Sequence, residues 1–365
     1  MTLTVVLLFG GRSSEHSISC ATAGGVLAAI DRERYTVIPV GITRDGAFVL
    51  EDDDPAKFVL HPDAGADELP VVRDNGTRVR WPDSATSREL TVVDADGLTR
   101  SLGDVDLVFP ILHGPYGEDG TVQGMLELIG LPYVGSGVLA SALGMDKHFT
   151  KTVFEQAGLP IAPWRTVTAA DWRSEPERAY AALDTLGLPV FVKPARAGSS
   201  VGVSRVSTPE QLADAMILAL LEDDKVLIEA GLVGRELEVA VLQGRPGEPC
   251  RASVAGEVIV TGREFYDFAA KYLGAGGIEL VCPAPLEPAD LAEMQRLAVA
   301  AFTAISAEGL ARVDFFLTDR GWVINEINTM PGFTAISMFP SCWLASGYTY
   351  PQLIDELISV ALARA

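Results

Sequence analysis

Residues 5–9 form an unbroken apolar run, Val5-Val6-Leu7-Leu8-Phe9. A strand with one wet face alternates, so a continuous run marks a strand covered on both faces. Gly10-Gly11 turns the chain, and residues 18–30 read as a helix carrying the small residues Ala21, Ala23, Ala28 and Ala29. Residues 35–41 return as a second strand. Strand, helix, strand in that order builds a parallel sheet and a layered α/β domain.

From residue 45 to 101 the pattern changes to charged residues, short alternating runs and the turn sequences Asp74-Asn75-Gly76 and Asp94-Ala95-Asp96-Gly97. This predicts an inserted, largely β-hairpin surface segment. The parallel pattern resumes at 105–112 and a helix over 120–129. A second style begins near Met145: a helix over 146–157, two strands within 188–206, a helix over 209–221, and strands over 225–229 and 236–242. A Gly- and Tyr-rich loop (261–278), a helix (288–305), strands over 311–317 and 322–327 and a closing helix complete the chain. Three domains are expected, at 1–145, 146–234 and 235–365.

Lys and Arg number 28 against 49 Asp and Glu, a net charge of −21. A polyphosphate backbone would be repelled, so nucleic acid is not an expected partner. Screening over about 8 Å lets a few local lysines still hold a small anion. Cys20, Cys250, Cys282 and Cys342 are scattered without a C-x-x-C pair, which predicts a reduced, cytoplasmic protein with buried single thiols. The opening apolar stretch has no basic residue before it and ends at Gly10-Gly11-Arg12, so it reads as a strand and not a leader. No apolar run reaches the roughly 18 residues of a membrane span.

Four places carry chemistry. In Ala197-Gly198-Ser199-Ser200-Val201-Gly202, bare backbone N–H groups suit a flap over phosphate oxygens, or a plain hairpin tip. Lys193, inside the apolar strand Val190-Phe191-Val192-Lys193-Pro194, favours the flap, because burying an ammonium is costly unless an anion meets it. Asp314 precedes a turn at Asp319-Arg320-Gly321, and the return strand bears Glu326 and Asn328 on one face. Three oxygen donors favour Mg²⁺ shared with phosphates; a polar surface hairpin is the alternative. Arg312, two residues before Asp314, shares its face and suits a developing negative charge. Phe265-Tyr266-Asp267-Phe268 with Lys271 and Tyr272 suits a lid or a surface loop. Gly10-Gly11-Arg12-Ser13-Ser14-Glu15 lacks G-x-G-x-x-G and better suits a substrate-contacting carboxylate at a strand's carboxyl end.

Together these pieces resemble the ATP-grasp ligases, and within them the D-alanine–D-alanine ligases. The likeness runs through His113-Gly114-Pro115-Tyr116-Gly117-Glu118-Asp119-Gly120, Gly144-Met145-Asp146-Lys147, Lys193-Pro194, Tyr266-Asp267, Lys271-Tyr272 and Asn325-Glu326-Ile327-Asn328-Thr329-Met330-Pro331-Gly332. It implies a parallel-sheet domain followed by a two-lobed ATP-grasp fold, and ATP-dependent joining of two D-alanines through an acyl phosphate for peptidoglycan precursors. It implies two Mg²⁺ or Mn²⁺ ions on Asp314, Glu326 and Asn328, and a homodimer. Glu15 would hold the first ammonium, hydrogen-bonded to Ser199 and Tyr272, with His113 lining that subsite. Arg312 and the Gly332 N–H would meet the oxyanion, and Ser337 and Lys271 the second carboxylate. Lys147, Lys193 and Ser200 would hold phosphates, Glu229 and Leu232 adenine, and Glu236 the ribose; Phe316 and Asn325 complete the ATP site. Related ligases making D-alanyl-D-lactate carry a histidine in the lid; Tyr272 here points to an amine nucleophile. The rivals are an ATP-grasp ligase for other amino acids, a nucleotide-binding regulator without catalysis, and a NAD oxidoreductase.

Overall fold

The computed structural model describes residues 2–59, 69–260, 277–334 and 336–364. Strand β1 (Leu3–Gly10) pairs in parallel with β2 (Tyr35–Ile42), the helix His16–Ala29 crossing between them. β3 (Phe48–Leu50) adds antiparallel to β2. β4 (Arg78–Arg80), β5 (Glu89–Val93) and β6 (Thr99–Asp104) form their own antiparallel sheet. β7 (Leu107–Ile111) then pairs in parallel with β1, giving the order β3-β2-β1-β7.

The 45–101 segment is therefore not only a surface hairpin. β3 widens the main sheet, and Phe58 and Val72 are 1% and 4% exposed. Gly41 leaves the room Val72 fills: a Cβ there would stand 2.6 Å from its Cγ1. His16 accepts the Val72 N–H at 2.9 Å and bonds the Gly11 carbonyl at 2.6 Å through its other nitrogen. Val79, Leu90 and Val92 of the small sheet pack on Val6, Leu8 and Val40, covering one face of the main sheet.

The second sheet is antiparallel, in the order β10-β9-β11-β8, from β8 (Trp164–Thr168), β9 (Val190–Pro194), β10 (Ser204–Val206) and β11 (Lys225–Ala230). Helices Glu177–Leu186 and Leu212–Leu220 cover it, burying Val167, Val190, Val192, Val226 and Ile228 with Leu183, Leu212 and Met216. β8 and the helices Ala169–Ser174 and Glu177–Leu186 are additions to the elements expected from sequence.

The third sheet runs β14-β13-β12-β15-β16, built from β12 (Arg235–Leu242), β13 (Arg251–Val260), β14 (Ile278–Val281), β15 (Leu310–Thr318) and β16 (Gly321–Asn328). Alternation along β12 sends Leu237, Val239 and Val241 toward helix Pro288–Ala304, and Ala240 and Leu242 toward helix Met338–Ala345 and the first sheet. β13 is an addition to the elements expected from sequence, because Gly256 interrupts its apolar run. That glycine is a packing requirement: a Cβ would lie 2.0 Å from the Met338 sulfur. Phe154, on helix Lys147–Gln156, packs with Met294 and Phe302 in this core.

Candidate active site

A cavity of about 700 Å³ lies between the second and third sheets and reaches the carboxyl ends of β1 and β7. Glu15, at the N-cap of helix His16–Ala29, forms part of its wall and is 8% exposed. The Ser199 hydroxyl donates to Glu15 Oε1 at 2.5 Å, so the glycine loop closes onto this carboxylate. Ser199 and Ser200 hold φ of 50° and 58°, a left-handed conformation that costs a non-glycine residue on the order of 1 kcal/mol. The Ser199–Glu15 bond helps to offset it. Gly198 makes the approach possible, since a Cβ there would stand 3.3 Å from Glu15 Oε2.

His113, just past β7, bonds the Met330 carbonyl through Nδ1 at 3.2 Å. Its Nε2 is buried and has no hydrogen-bond partner among the described residues. Burial lowers its pKa, favouring the neutral ring, and the Nδ1 bond to the Met330 carbonyl places the lone pair on Nε2. Glu118 accepts the Gly114 N–H at 2.7 Å. Burial, then the nearby Glu15 carboxylate, push its pKa up to about 8.

The cations come from two elements. Lys147 opens helix Lys147–Gln156, donates to the Ala197 carbonyl at 2.8 Å and lies 3.8 Å from the Glu326 carboxylate. Lys151, one turn on, is 2% exposed and ion-pairs with Glu229. Lys193 on β9 ion-pairs with the same carboxylate. The anion that makes burial of Lys193 tolerable is thus inside the chain. Burial alone would raise the Glu229 carboxyl, but the two ammoniums outweigh it and hold it below its ordinary value. The expected adenine-facing carboxylate is therefore turned, in this structure, toward lysines.

On the opposite wall, β15 and β16 set Asp314 across from Glu326 and Arg312 across from Asn328, with a bulge after Asp314. Arg312 donates from Nε and Nη2 to the two Asp314 oxygens, both at 2.7 Å, and its Nε lies 2.8 Å from Glu238 Oε2. Asn328 Nδ2 donates to Asp314 Oδ2 at 3.1 Å. Burial opposes the guanidinium charge; Asp314 and Glu238 overcome it. Ser200, Leu232, Glu236, Phe316, Asn325 and Gly332 also line the cavity. Ser337 stands at the N-cap position of helix Met338–Ala345, and its hydroxyl bonds that of Thr334 at 2.7 Å in place of a helix N–H. Lys271, Tyr272 and nearly all of the expected 261–278 lid lie outside the described residues.

Two family models match: "D-ala D-ala ligase N-terminus" over residues 4–136 and "D-ala D-ala ligase C-terminus" over 153–359. A D-alanine–D-alanine ligase of Paenarthrobacter aurescens is 52% identical over 99% of this chain and 95% of its own length. The chain belongs to the D-alanine–D-alanine ligase family. Another such ligase, from Streptomyces coelicolor, is 49% identical over 99% of this chain and 93% of its own. Among solved structures, the D-alanine–D-alanine ligase of Coxiella burnetii superposes with a TM-score of 0.81 at 33% identity, covering 100% of this chain and 94% of its own. The VanG D-Ala:D-Ser ligase of Enterococcus faecalis gives 0.85 at 31%, covering 99% and 100%.

For a ligase of this family, two residues without an assigned role, Glu118 and Glu238, line the cavity, and a third, Lys151, is buried behind it against Glu229. Lys151 sits four residues after Lys147 on the same helix face, a spacing that could have revealed it. Glu118 lies within the His113–Gly120 stretch, and Glu238 follows Glu236 at i+2 on β12. The carboxylates of Asp314 and Glu326 and the amide oxygen of Asn328 fit a hard divalent cation, being oxygen donors gathered on one strand pair.

Proposed function

We propose that this ligase joins two D-alanines at the expense of ATP, through an acyl phosphate, and that its dipeptide feeds peptidoglycan precursor synthesis. The observation that carries the reading is the single cavity in which Lys147, Lys193 and Arg312 face Glu15 and the Asp314–Glu326 pair. Glu15, held by Ser199, binds the first ammonium, while the His113 lone pair accepts from the same group. Lys147 and Lys193 take the phosphates, Lys193 exchanging Glu229 for an anionic oxygen. Leu232, Glu229 and Glu236 frame the nucleoside, beside Phe316, Asn325 and Ser200.

Carboxylate attack on the γ-phosphorus of ATP expels ADP and gives the acyl phosphate; the second amine then attacks its carbonyl carbon, and the tetrahedral intermediate expels inorganic phosphate. Arg312 and the Gly332 N–H stabilise the oxyanion of that step. Ser337, with Lys271, holds the second carboxylate, and Tyr272 completes the Glu15–Ser199 pair. Asp314, Glu326 and Asn328 would hold Mg²⁺ or Mn²⁺, which neutralises phosphate charge when bound. Domain limits of 1–145, 146–234 and 235–365 and a homodimer belong to the same reading.

The test is a coupled ADP-release assay with D-alanine, L-alanine and no amino acid, the product identified by mass. ADP release dependent on D-alanine, with D-alanyl-D-alanine as product, is expected. Release driven by L-amino acids alone would sink the proposal. Offering D-serine and D-lactate beside D-alanine checks the second substrate, since one structural relative is a D-Ala:D-Ser ligase. The dipeptide of two D-alanines is expected to dominate.

A further inference from the structure

Cys282 and Cys342 are 60 residues apart in sequence, yet their sulfurs stand 3.8 Å apart. Both are free thiols; Cys342 is buried and Cys282 is partly exposed. Cys282 directly follows β14, whose Leu280 lines the active cavity. Cys342 lies one helical turn past Met338, which also lines it, on the helix that Ser337 precedes. Its sulfur is 4.0 Å from the carbonyl of Glu238, the residue whose carboxylate pairs with Arg312. The two sulfurs thus tie together two pieces of one cavity wall, and one of them opens to solvent.

We propose that Cys282 and Cys342 form a reversible thiol–disulfide modification site, addressed by hydroperoxides, whose closure lowers ligase turnover. The partly exposed Cys282 thiolate attacks a peroxide oxygen and becomes a sulfenic acid, releasing hydroxide. The Cys342 sulfur then attacks the Cys282 sulfur and expels a second hydroxide, which the Cys342 proton and the proton first lost by Cys282 convert, with the other, to water. The two thiols lose two hydrogens in total, and one hydrogen peroxide becomes two waters. Cys282 is suited to react first: the Cys342 thiol beside it lowers its pKa, and thiolate character governs this chemistry. Bonding shortens the contact to about 2.05 Å, which pulls the end of β14 against the helix and shifts Leu280 relative to Met338. A small thiol reopens the bond by exchange.

The experiment treats the reduced full-length protein with hydrogen peroxide, then blocks remaining thiols under denaturing conditions and maps the peptides. A Cys282–Cys342 cross-link is expected, with a several-fold loss of turnover that dithiothreitol restores. C282S and C342S are each expected to keep turnover and to lose the reversible response, whereas C250S retains it. Both thiols still blocked after peroxide, a cross-link without loss of turnover, or an equal reversible loss in C282S would each overturn the proposal. The cross-link is read by mass without substrate, so its failure is distinct from failure of the proposed reaction.

Discussion

The second sheet and the other two large sheets bury their apolar residues in different ways. The second keeps its core to itself: among the described residues its buried cluster draws only on the stretch from Val167 to Ile228. The first and third share one: Val5, Leu7 and Phe9 of β1 pack in the same cluster as Leu310, Phe333 and Leu357. The loop after β9 meets the rest of the molecule through polar contacts as well, Ser199 to Glu15 and Ala197 to Lys147 of the helix whose Phe154 packs in the third-sheet core. Apolar contact makes the first and third sheets one body, while hydrogen bonds and ion pairs line the seam where ligands enter. A polar seam keeps groups that a substrate can engage.

Phe333 tests the shared core most severely. Its ring is fully buried, with centroids 6.1 Å from Phe109, 5.8 Å from Phe339 and 5.5 Å from Tyr350. Phe333→Ala is expected to lose about 3–5 kcal/mol in denaturant unfolding; a loss below about 1 kcal/mol would mean the two sheets are not joined there. Arg312→Met probes the seam: turnover should fall about 10²- to 10³-fold, as for loss of an oxyanion donor. Steady-state kinetics at saturating substrate read this, and an unchanged kcat would remove the guanidinium from the chemistry. Ser199→Ala deletes one hydrogen bond to a carboxylate, worth about 1.5–3 kcal/mol. We expect a raised KM for D-alanine and an unfolding midpoint lowered by no more than that amount implies; an unchanged KM would remove the Ser199–Glu15 contact from substrate binding.

The gentlest test uses pH. Glu118 keeps its proton up to about 8 in the fold, whereas the unfolded chain releases it in the ordinary carboxylate range. Between those values the native state binds the extra proton. Stability is therefore greatest on the acid side and declines as pH rises toward 8, by at most about 1.4 kcal/mol per unit. Glu118→Gln should flatten that slope in unfolding curves recorded from pH 5 to about 8.5. An identical slope in the variant would assign the effect to another group.

Much of this was legible in the chain, for identifiable reasons. Continuous apolar runs locate β1 and β7, and the Asp314 and Glu326/Asn328 spacing sets up the acidic hairpin, because each signal is local. β13 escaped because Gly256 reads as a breaker until Met338 is seen against it. Lys151 escaped because a lysine on a polar helix looks solvated; only the fold brings Glu229 to it. The Glu229–Lys193 pair joins β11 to β9, a register that no single segment encodes.

The small β4–β6 sheet carries a practical lesson for anyone trimming the molecule. Val79, Leu90 and Val92 roof Val6, Leu8 and Val40. Cutting the excursion back to a tight turn would strip that roof and leave a greasy plate open to water, inviting self-association long before catalysis was touched.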